Sequence, residues 1–266
     1  MKFKKPKVSI IINCHNGENY IEESIKSVKN QTYKNWEIIY FDNLSTDKSL
    51  AIVKSFVDKR IKIIKSKLFL SLYDARNKAI KYAKGKYVAF LDSDDWWVKS
   101  KLKEQIDFLN RNKKYKVVCT NVYLYHQKNK KILKWHSNLP SGHITQELLN
   151  KYTIGISTVL LEKKIFINNK FDKKYNIIGD YDFFIKLSRN HLIASLKKPL
   201  IFYRIHDSNF SNLKLDIYYS ELKNWLIKNE KSFKRKNLKI IRVKFLLFKI
   251  AVKIIIQRFK NLITGV

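Results

Sequence analysis

A short apolar strand that ends in a cluster of carboxylates decides the fold of this chain. Residues 85–95 have the sequence GKYVAFLDSDD, in which Tyr87–Leu91 has strand length and Asp92-Ser93-Asp94-Asp95 follows directly. The three carboxylates of this loop repel one another, so the loop is costly unless a cation is present. The stretch therefore predicts a strand with a functional acidic loop at its carboxyl end.

The same arrangement of strand and polar loop occurs upstream. Val8–Ile12 and Trp36–Phe41 are β-branched and aromatic runs, and they end in the polar segments Asn13–Asn16 and Asp42-Asn43. Helical patterns separate the strands, and Ile61–Ile64 adds a further one. This alternation predicts an α/β fold with a mostly parallel sheet flanked by helices. Such sheets bind ligands at the carboxyl ends of their strands, so we expect the polar segments to meet at one edge.

Capping signals give boundaries for two of these helices. Ser45 is a plausible N-cap, with Asp47 in the first turn of a helix that reaches Asp58. A second helix is predicted over residues 71–83, with Gly85 as its C-terminal stop. Both helices lead into predicted strands, as the alternating pattern requires.

The pattern is less regular between residues 100 and 215 and strongly basic after them. The predicted elements are a helix over Lys101–Asn110, a strand over Tyr115–Tyr125, a hairpin through Gln127–Lys130, short strands at Thr158–Leu161 and Leu200–Arg204, and a helix beginning near Asp180. We therefore expect one domain over residues 1–215 and a basic helical extension over residues 216–266.

The charge of the chain suggests classes of partner without choosing among them. The formal net charge is +33 at pH 7, which would attract nucleic acid, anionic lipid or phosphorylated substrates, although solvating lysines explain it as well. A basic nucleic-acid-binding protein is the main alternative, but its phosphates would be repelled by the acidic loop, and zinc-finger and RNP-like patterns are missing. Cys14 and Cys119 cannot form a disulfide framework, which favours a reducing compartment such as the cytosol.

The acidic loop and its neighbours suit a metal-bound phosphate ligand. Carboxylates such as Asp92 and Asp94 bind Mg²⁺ or Mn²⁺, which complete their shells with phosphate and water. The alternative is a helix start at which the macrodipole alone favours Asp. Arg76 adds a permanent charge with a donor fork that fits phosphate, unless it is an ordinary surface arginine. Asp42 could accept hydrogen bonds from a base or a ribose.

Segments of the first half together resemble family 2 glycosyltransferases in order and spacing. They are Val8–Asn16, Gln31–Ile39, Phe41–Asp47, Ala75-Arg76-Asn77 and Gly85–Asp95. The resemblance is dense over residues 7–110 and continues more sparsely to residue 211. It implies a GT-A type, Rossmann-like fold and an inverting, metal-dependent transfer of sugar from a nucleotide-diphosphate donor to a hydroxyl acceptor. Residues 1–110 would bind the nucleotide sugar, and residues 111–215 the acceptor.

The resemblance also implies which residues bind the donor and the metal. The implied donor-binding residues are Asn16, Asp42, Arg76, Asp92 and Asp94. Asp92 and Asp94 form the D-x-D pair for Mg²⁺ or Mn²⁺, and Asp94 is the more direct ligand. His15 stands where relatives often have Tyr and could stack on a base, which leaves the base preference open.

The implied catalytic base lies in the second half of the chain. Asp180 matches the base, whereas Gly179 replaces the Glu that usually precedes it, and Asp182 remains available as an alternative. Arg204–Ser211 resembles the late Arg-x-His segment of the family. His206 in that segment would help to bind metal or diphosphate, and a packed histidine is the other interpretation.

The tail has the pattern of an amphipathic helix. At 100° per residue, one narrow face carries the basic side chains Lys239, Arg242, Lys249, Lys253 and Lys260, and apolar residues between Phe245 and Phe259 fill much of the rest. This pattern fits a helix in the interface of an anionic membrane, and packing on the domain or on a second copy is the alternative.

The expected location follows from the tail and from the N-terminus. The apolar run after the basic Met1–Pro6 is too short for a signal peptide, and no run reaches the roughly 18 residues of a spanning helix. We expect a cytoplasmic enzyme, peripheral on the inner face of the cytoplasmic membrane. Its expected partners are a nucleotide-sugar donor and a glycan or lipid-linked acceptor, without nucleic acid.

Overall fold

The computed structural model describes residues 6–135, 138–207 and 214–264, with side chains as far as Phe259. The strands are β1 Val8–Cys14, β2 Trp36–Asp42, β3 Ile61–Lys65, β4 Tyr87–Phe90, β5 Trp96–Trp97, β6 Val117–His126, β7 Lys131–Lys134, β8 Leu160–Glu162 and β9 Ile193–Ile205. The helices are α1 Ile21–Lys29, α2 Ser49–Ser55, α3 Leu72–Ile80, α4 Lys101–Arg111, α5 Thr145–Asn150, α6 Gly179–Ser188, α7 Leu215–Arg235 and α8 Ile241–Thr264. Short 3₁₀ segments cover Ile156–Thr158 and Lys163–Ile167.

One mixed sheet connects the two halves of the described chain. Its strands run in the order β3-β2-β1-β4-β8-β6-β9-β5, and β7 pairs with β6 beside this path. The pairs β1–β2, β1–β4, β2–β3 and β6–β9 are parallel. β8 runs antiparallel to both β4 and β6. β5 pairs antiparallel with β9, and β7 pairs antiparallel with β6. The predicted α/β sheet flanked by helices is confirmed, and antiparallel strands join its second half to the first.

Helices cover both faces of the parallel strands, which explains why these strands are continuously apolar. Along β1, Ile10 and Ile12 enter the core beneath α1 and α4, whereas Ile11 enters the core beneath α3 and α6. β1 and β2 end level with each other, since Cys14 pairs with Asp42 in the register. The polar segments after these strands therefore lie at one edge of the sheet.

The predicted start of the helix that reaches Asp58 was wrong. α2 begins at Ser49, and Ser45 lies in the preceding loop. The hydroxyl of Ser45 accepts a hydrogen bond from the backbone N–H of Asn16 at 3.1 Å, so it joins two loops instead of capping a helix. The carboxylate of Asp47 accepts from the N–H of Ser49 at 2.9 Å and serves the start of α2 directly.

The predicted end of the helix over residues 71–83 was also wrong. Ser71 is the N-cap of α3 as its position suggests, but the helix ends at Ile80. Gly85 lies further on, where a Cβ atom would come within 2.6 Å of the backbone nitrogen of Ser9. Its lack of a side chain therefore allows the chain to approach β1 as β4 begins.

Two predicted strands of the second half have different bounds in the structure. The residues around Thr158 form a 3₁₀ turn, and β8 begins only at Leu160. The predicted strand at Leu200–Arg204 is the end of the much longer β9. Pairing with β6 extends β9 backwards to Ile193, and this long-range pairing has no local sequence signal.

The basic tail is helical as predicted, and it packs on the same core as α3 and α6. The buried side chains that it contributes are Leu222, Trp225, Leu226 and Phe233 from α7 and Val243, Ile250 and Ile254 from α8. Packing on the domain, which the pattern left open, is thus observed for one face of α8. Within the described ranges, no helix is both long enough and apolar enough to span a bilayer.

Candidate active site

The three carboxylates of the acidic loop have different surroundings. Asp95 is buried and accepts hydrogen bonds from the Ser157 hydroxyl at 2.7 Å and from the backbone N–H of Arg204 at 3.1 Å. Burial, and then the negative charge of Asp94, hold the pKa of Asp95 well above its usual value. Asp95 therefore links the loop to its neighbours, and Asp92 and Asp94 are the two carboxylates that remain partly exposed.

Asp92 is paired with the arginine that the sequence singled out. Arg76 is buried in α3, and its Nη2 donates to Oδ1 of Asp92 at 2.6 Å. Burial opposes the charge of Arg76, but Asp92, Tyr73 and Asp180 outweigh burial and raise the pKa of the guanidinium. Arg76 is therefore a fixed cation at the edge of the sheet and not a surface arginine.

Asp94 and His206, two of the three predicted metal ligands, lie next to each other. Nε2 of His206 and Oδ2 of Asp94 are 3.1 Å apart, and the His206 ring lies 5.0 Å from the ring of Tyr20. Burial, and then the charge of Asp92, raise the pKa of Asp94. Residues Ser208–Ser211 of the late segment lie outside the described residues.

Arg204 holds the late segment against the acidic loop. Its Nε donates to the carbonyl of Asp94 at 2.8 Å, and its guanidinium carbon lies 4.5 Å from the ring centre of Trp96. It also forms an ion pair with Glu23 of α1. Arg204 therefore places His206 next to Asp94, a role that its position in the Arg-x-His segment does not by itself reveal.

The fit of a divalent cation depends on these side chains. A carboxylate oxygen of Asp94 and an imidazole nitrogen of His206 meet at one point, and the negative charge of Asp92 lies nearby. Among the residues that the structure describes, no three His, Cys, Asp or Glu side chains converge as a metal site. A cation would therefore take two protein ligands here and complete its shell with phosphate and water, which is the habit of Mg²⁺.

Asp180 lies in the first turn of α6 and is the better placed of the two candidate bases. Burial raises its pKa to about 6, partly offset by the charge of Arg76. Its Oδ1 accepts from the N–H of Tyr181 at 2.8 Å. Asp182 is instead buried, and its carboxylate accepts hydrogen bonds from the Trp225 indole at 2.9 Å and from Lys186 at 2.6 Å. Of the two, Asp180 therefore has the electrostatic contact with Arg76 and Asp92.

Tyr73 explains the glycine that precedes the candidate base. A Cβ atom on Gly179 would lie 2.5 Å from carbon atoms of the Tyr73 ring, so the ring occupies the space of a side chain. The Tyr73 hydroxyl donates to the carbonyl of Ile177 at 2.7 Å and lies 3.4 Å from Oδ1 of Asp180. Sequence reasoning missed Tyr73, and its only local signal is its place one helical turn before Arg76.

The ends of β1 and β2 form the other part of the site. Asp42 is buried, and its Oδ1 has no hydrogen-bond partner among the described residues. His15 is held beside it by a contact of 2.9 Å between Nδ1 and the carbonyl of Asn43, and its ring packs against Phe69. A buried carboxylate oxygen without a partner is costly, so this position suits a ligand that donates a hydrogen bond.

Asn16 and Cys14 have structural contacts at this edge. Asn16 has a φ of 53°, and its side-chain oxygen accepts from the N–H of Thr46 at 2.8 Å. It thereby ties the loop after β1 to the loop after β2. Cys14 is buried, and burial raises the pKa of its thiol, which agrees with a packing role and not with a nucleophile.

A sheet of this topology, flanked by helices and with acidic side chains at the carboxyl ends of its strands, has the architecture of the GT-A class of glycosyltransferases. The family described as "Glycosyl transferase family 2" matches residues 9–186. The chain belongs to glycosyltransferase family 2.

Individual relatives support this membership. The UDP-Glc:alpha-D-GlcNAc-diphosphoundecaprenol beta-1,3-glucosyltransferase WfgD of Escherichia coli is 33% identical over 218 residues, which are 81% of this chain and 82% of that protein. WfaP, of the same description and organism, is 36% identical over 206 residues, which are 77% of this chain and 79% of that protein. S. aureus TarS 1-349 in complex with UDP-GlcNAc has a similar fold, with a TM-score of 0.66, 19% identity, and coverage of 83% of this chain and 66% of that one.

Proposed function

We propose that this glycosyltransferase moves a sugar, with inversion, from a nucleoside-diphosphate donor to a hydroxyl group of a glycan or lipid-linked acceptor in bacterial surface-polysaccharide, lipopolysaccharide or lipid-linked glycan assembly. The names of WfgD and WfaP describe transfer to a diphosphoundecaprenol-linked sugar, which supports such an acceptor. The observation that carries the proposal is the position of Asp180, a carboxylate of raised pKa within electrostatic reach of Arg76 and Asp92.

Asp180 acts as the general base. It takes the proton from the acceptor hydroxyl while the hydroxyl oxygen attacks the anomeric carbon, and the bond from that carbon to the diphosphate breaks on the opposite face. General-base assistance of this kind contributes about 10²–10⁴-fold. A pKa of about 6 leaves Asp180 ionised near neutral pH and still basic enough to accept the proton.

The leaving diphosphate is bound at the acidic loop. Arg76 supplies a fixed positive charge there, because it is buried and held by Asp92. Mg²⁺ or Mn²⁺ would be held by Asp94 and His206, with Asp92 beside them, and when bound it neutralises the developing charge of the diphosphate. Burial, and then the charge of Asp92, raise the pKa of Asp94, and a cation bound beside it would favour the ionised carboxylate.

The nucleoside binds at the ends of β1 and β2. The buried Asp42 accepts a hydrogen bond from the base or the ribose through its unpartnered Oδ1. His15 and the exposed Phe69 offer a ring pair beside it, and Asn16 fixes the loop that carries His15. UDP is the nucleotide in the relatives' names and in the TarS complex, which supports uridine as the base.

The C-terminal helix α8 provides a surface for an anionic membrane. Opposite its buried face, it leaves a stripe of apolar side chains exposed at intervals of three and four residues, with exposed fractions between 37% and 67%. The stripe consists of Ile241, Phe245, Phe248, Val252, Ile255 and Phe259. An exposed apolar stripe of this length marks an interaction surface.

The basic residues beside this stripe indicate which partner it binds. Arg242, Lys249 and Lys253 are exposed and lie along one edge at 100° per residue, and Lys244 and Arg258 lie along the other. A second copy of the chain would bring like charges together, whereas anionic lipid attracts basic residues by about 1 kcal/mol each. This charge pattern supports a cytoplasmic enzyme that is peripheral on the inner face of the membrane, close to a lipid-linked acceptor.

The decisive experiment is a screen of nucleotide sugars with Mg²⁺ or Mn²⁺. UDP-glucose and UDP-GlcNAc are tested for metal-dependent binding, hydrolysis and transfer to diphosphoundecaprenol-linked GlcNAc. We expect turnover with one UDP-sugar and a loss of about 10²–10⁴-fold in the Asp180→Asn variant, with donor affinity unchanged. No response to any donor, or wild-type turnover by Asp180→Asn, contradicts the proposal.

A further inference from the structure

Helix α7 contacts the segment that carries the candidate base. In one of these contacts, a carboxylate of α7 binds the backbone just before the base. The side chain of Glu221 accepts hydrogen bonds from three successive backbone N–H groups, those of Asn176 at 2.6 Å, Ile177 at 3.0 Å and Ile178 at 3.2 Å. These amides lie immediately before the first turn of α6. A carboxylate at this position also interacts favourably with the helix dipole. Glu221 therefore fixes the backbone that leads into Asp180.

The same face of α7 contacts the segment again one turn later. Trp225 is buried, and its indole N–H donates to Oδ1 of Asp182 at 2.9 Å, while its ring lies 4.8 Å from the ring of Tyr181. Lys186 donates to the other oxygen of Asp182 at 2.6 Å. Buried carboxylates that are bonded in this way hold their neighbours in place, because the charge cannot move without losing its partners.

We propose that α7 is a positioning element for the catalytic base, and that Glu221 and Trp225 set the place of Asp180 by holding the backbone before it and the Asp182 side chain after it. This inference rests on the proposed function, in which Asp180 takes the proton from the acceptor hydroxyl. Glu221 and Trp225 are four residues apart and hence on one face of the helix. They bond residues on either side of Asp180, which fixes its position more firmly than one contact could.

Helix α7 lies outside the part of the chain that matches the family. The family match ends at residue 186, whereas α7 begins at Leu215. The base is therefore aligned by a helix beyond the segment that defines the family. A displacement of about 1 Å in a reacting group can cost about 10²-fold in rate, so the rate depends on the two contacts even though neither side chain touches substrate.

The test uses the full-length protein with Glu221→Gln, Trp225→Phe and the double variant. Gln keeps the shape of Glu but weakens three charge-assisted bonds, and Phe keeps an aromatic ring, though a smaller one, while it removes the indole N–H. Glu230→Gln is the matched control, because Glu230 lies on the same helix but pairs with Lys234 and Lys244, away from the segment that carries Asp180. Transfer from UDP-glucose to diphosphoundecaprenol-linked GlcNAc is measured against pH, with a thermal melt of each variant.

We expect the double variant to lose about 10²-fold in kcat with the donor KM unchanged. The acidic limb of its pH profile should move down from about 6, because a looser segment lets water reach Asp180. An unchanged kcat overturns the inference. So does a loss of kcat that merely parallels a lower melting temperature while the acidic limb of the pH profile stays in place.

A second readout does not depend on turnover. Carboxyl ¹³C NMR of protein labelled at Asp, with Asp180→Asn to assign the resonance, gives the titration midpoint of Asp180 directly. The midpoint should fall in Trp225→Phe and Glu221→Gln and stay in Glu230→Gln. If the wild type turns over no donor while the midpoint still moves, the positioning stands and the proposed reaction fails. An unmoved midpoint in the double variant contradicts the positioning itself.

Discussion

Asp180 shares its surroundings with Tyr73, whose ring fills the space that a side chain at Gly179 would need. The family's usual Glu at this position is therefore incompatible with Tyr73 in its observed place. Tyr73, Arg76 and the base form one local unit, since Tyr73 and Arg76 lie a turn apart in α3 and both act on the charge of Asp180. The departure at Gly179 thus leaves the space that the Tyr73 ring occupies.

Replacing Gly179 by Ala tests this unit. The new Cβ would meet the Tyr73 ring at 2.5 Å, so we expect a loss of about 1–3 kcal/mol in the free energy of unfolding, together with slower transfer. Denaturant unfolding and turnover measure the two effects. Gly155→Ala is the control, because a Cβ there meets only Thr158 Cγ2 at an ordinary 3.5 Å. Equal stability of the two variants would contradict the packing argument.

The pH dependence of transfer follows from the raised pKa of Asp180. A base must be ionised to take a proton, and burial raises the pKa of this carboxyl to about 6 in the folded protein. We therefore expect kcat/KM to fall as the pH drops through about 6, and not near 3.8 as for an exposed aspartate. Turnover between pH 4.5 and 8 measures the limb, with a stability scan to exclude unfolding. A profile that stays flat to pH 5 would contradict Asp180 as the base.

At the scale of elements, α8 has two apolar faces with different surroundings. Val243, Ile250 and Ile254 are buried against the core, whereas the stripe that includes Phe245, Phe248 and Ile255 is exposed on the other side. Membrane docking and packing on the domain, which the sequence left as alternatives, are therefore compatible in one helix. Removal of the whole helix would also uncover the core, so it is a poor test of docking.

Substitutions within the exposed stripe test docking without disturbing the core. We expect Phe245→Ser, Phe248→Ser and Ile255→Ser combined to abolish sedimentation with phosphatidylglycerol vesicles, because they remove the apolar area that enters the interface. Val57→Ser with Ile167→Ser is the control, since both side chains are exposed elsewhere. Neutral vesicles should bind the wild type weakly. Unchanged sedimentation of the triple variant would refute the membrane surface.

At the scale of the whole molecule, charge and packing connect the tail to the active site. The net charge of +33 favours anionic partners of both kinds, the nucleotide donor and the membrane, while the acidic loop stays at one edge of the sheet. The buried cluster that contains Phe183 and Phe184 of α6 also contains Trp225 of α7 and Ile250 of α8. Helix α8, with its proposed membrane surface, is therefore continuous, through one core, with α6, which carries the proposed base.

The sequence by itself determined the elements whose signals are local. Apolar runs ending in polar segments gave the strands of the parallel half, because a strand covered on both faces must be apolar throughout. The order of these segments also identified the acidic loop, Asp42, Arg76 and Asp180 as candidates, and the structure places all of them at or beside one edge of the sheet. Their individual roles in binding and catalysis remain predictions.

Only the tertiary structure decided the contacts between residues far apart in the chain. The choice between Asp180 and Asp182 depends on Trp225, which lies 43 residues beyond Asp182 and removes it from the site by a buried hydrogen bond. The role of Gly179 likewise depends on Tyr73, which comes from another helix. Periodicity and spacing describe one segment at a time, whereas burial and electrostatic environment depend on every segment that packs against it. For that reason the sequence supplied the candidate carboxylates, and the fold distinguished among them.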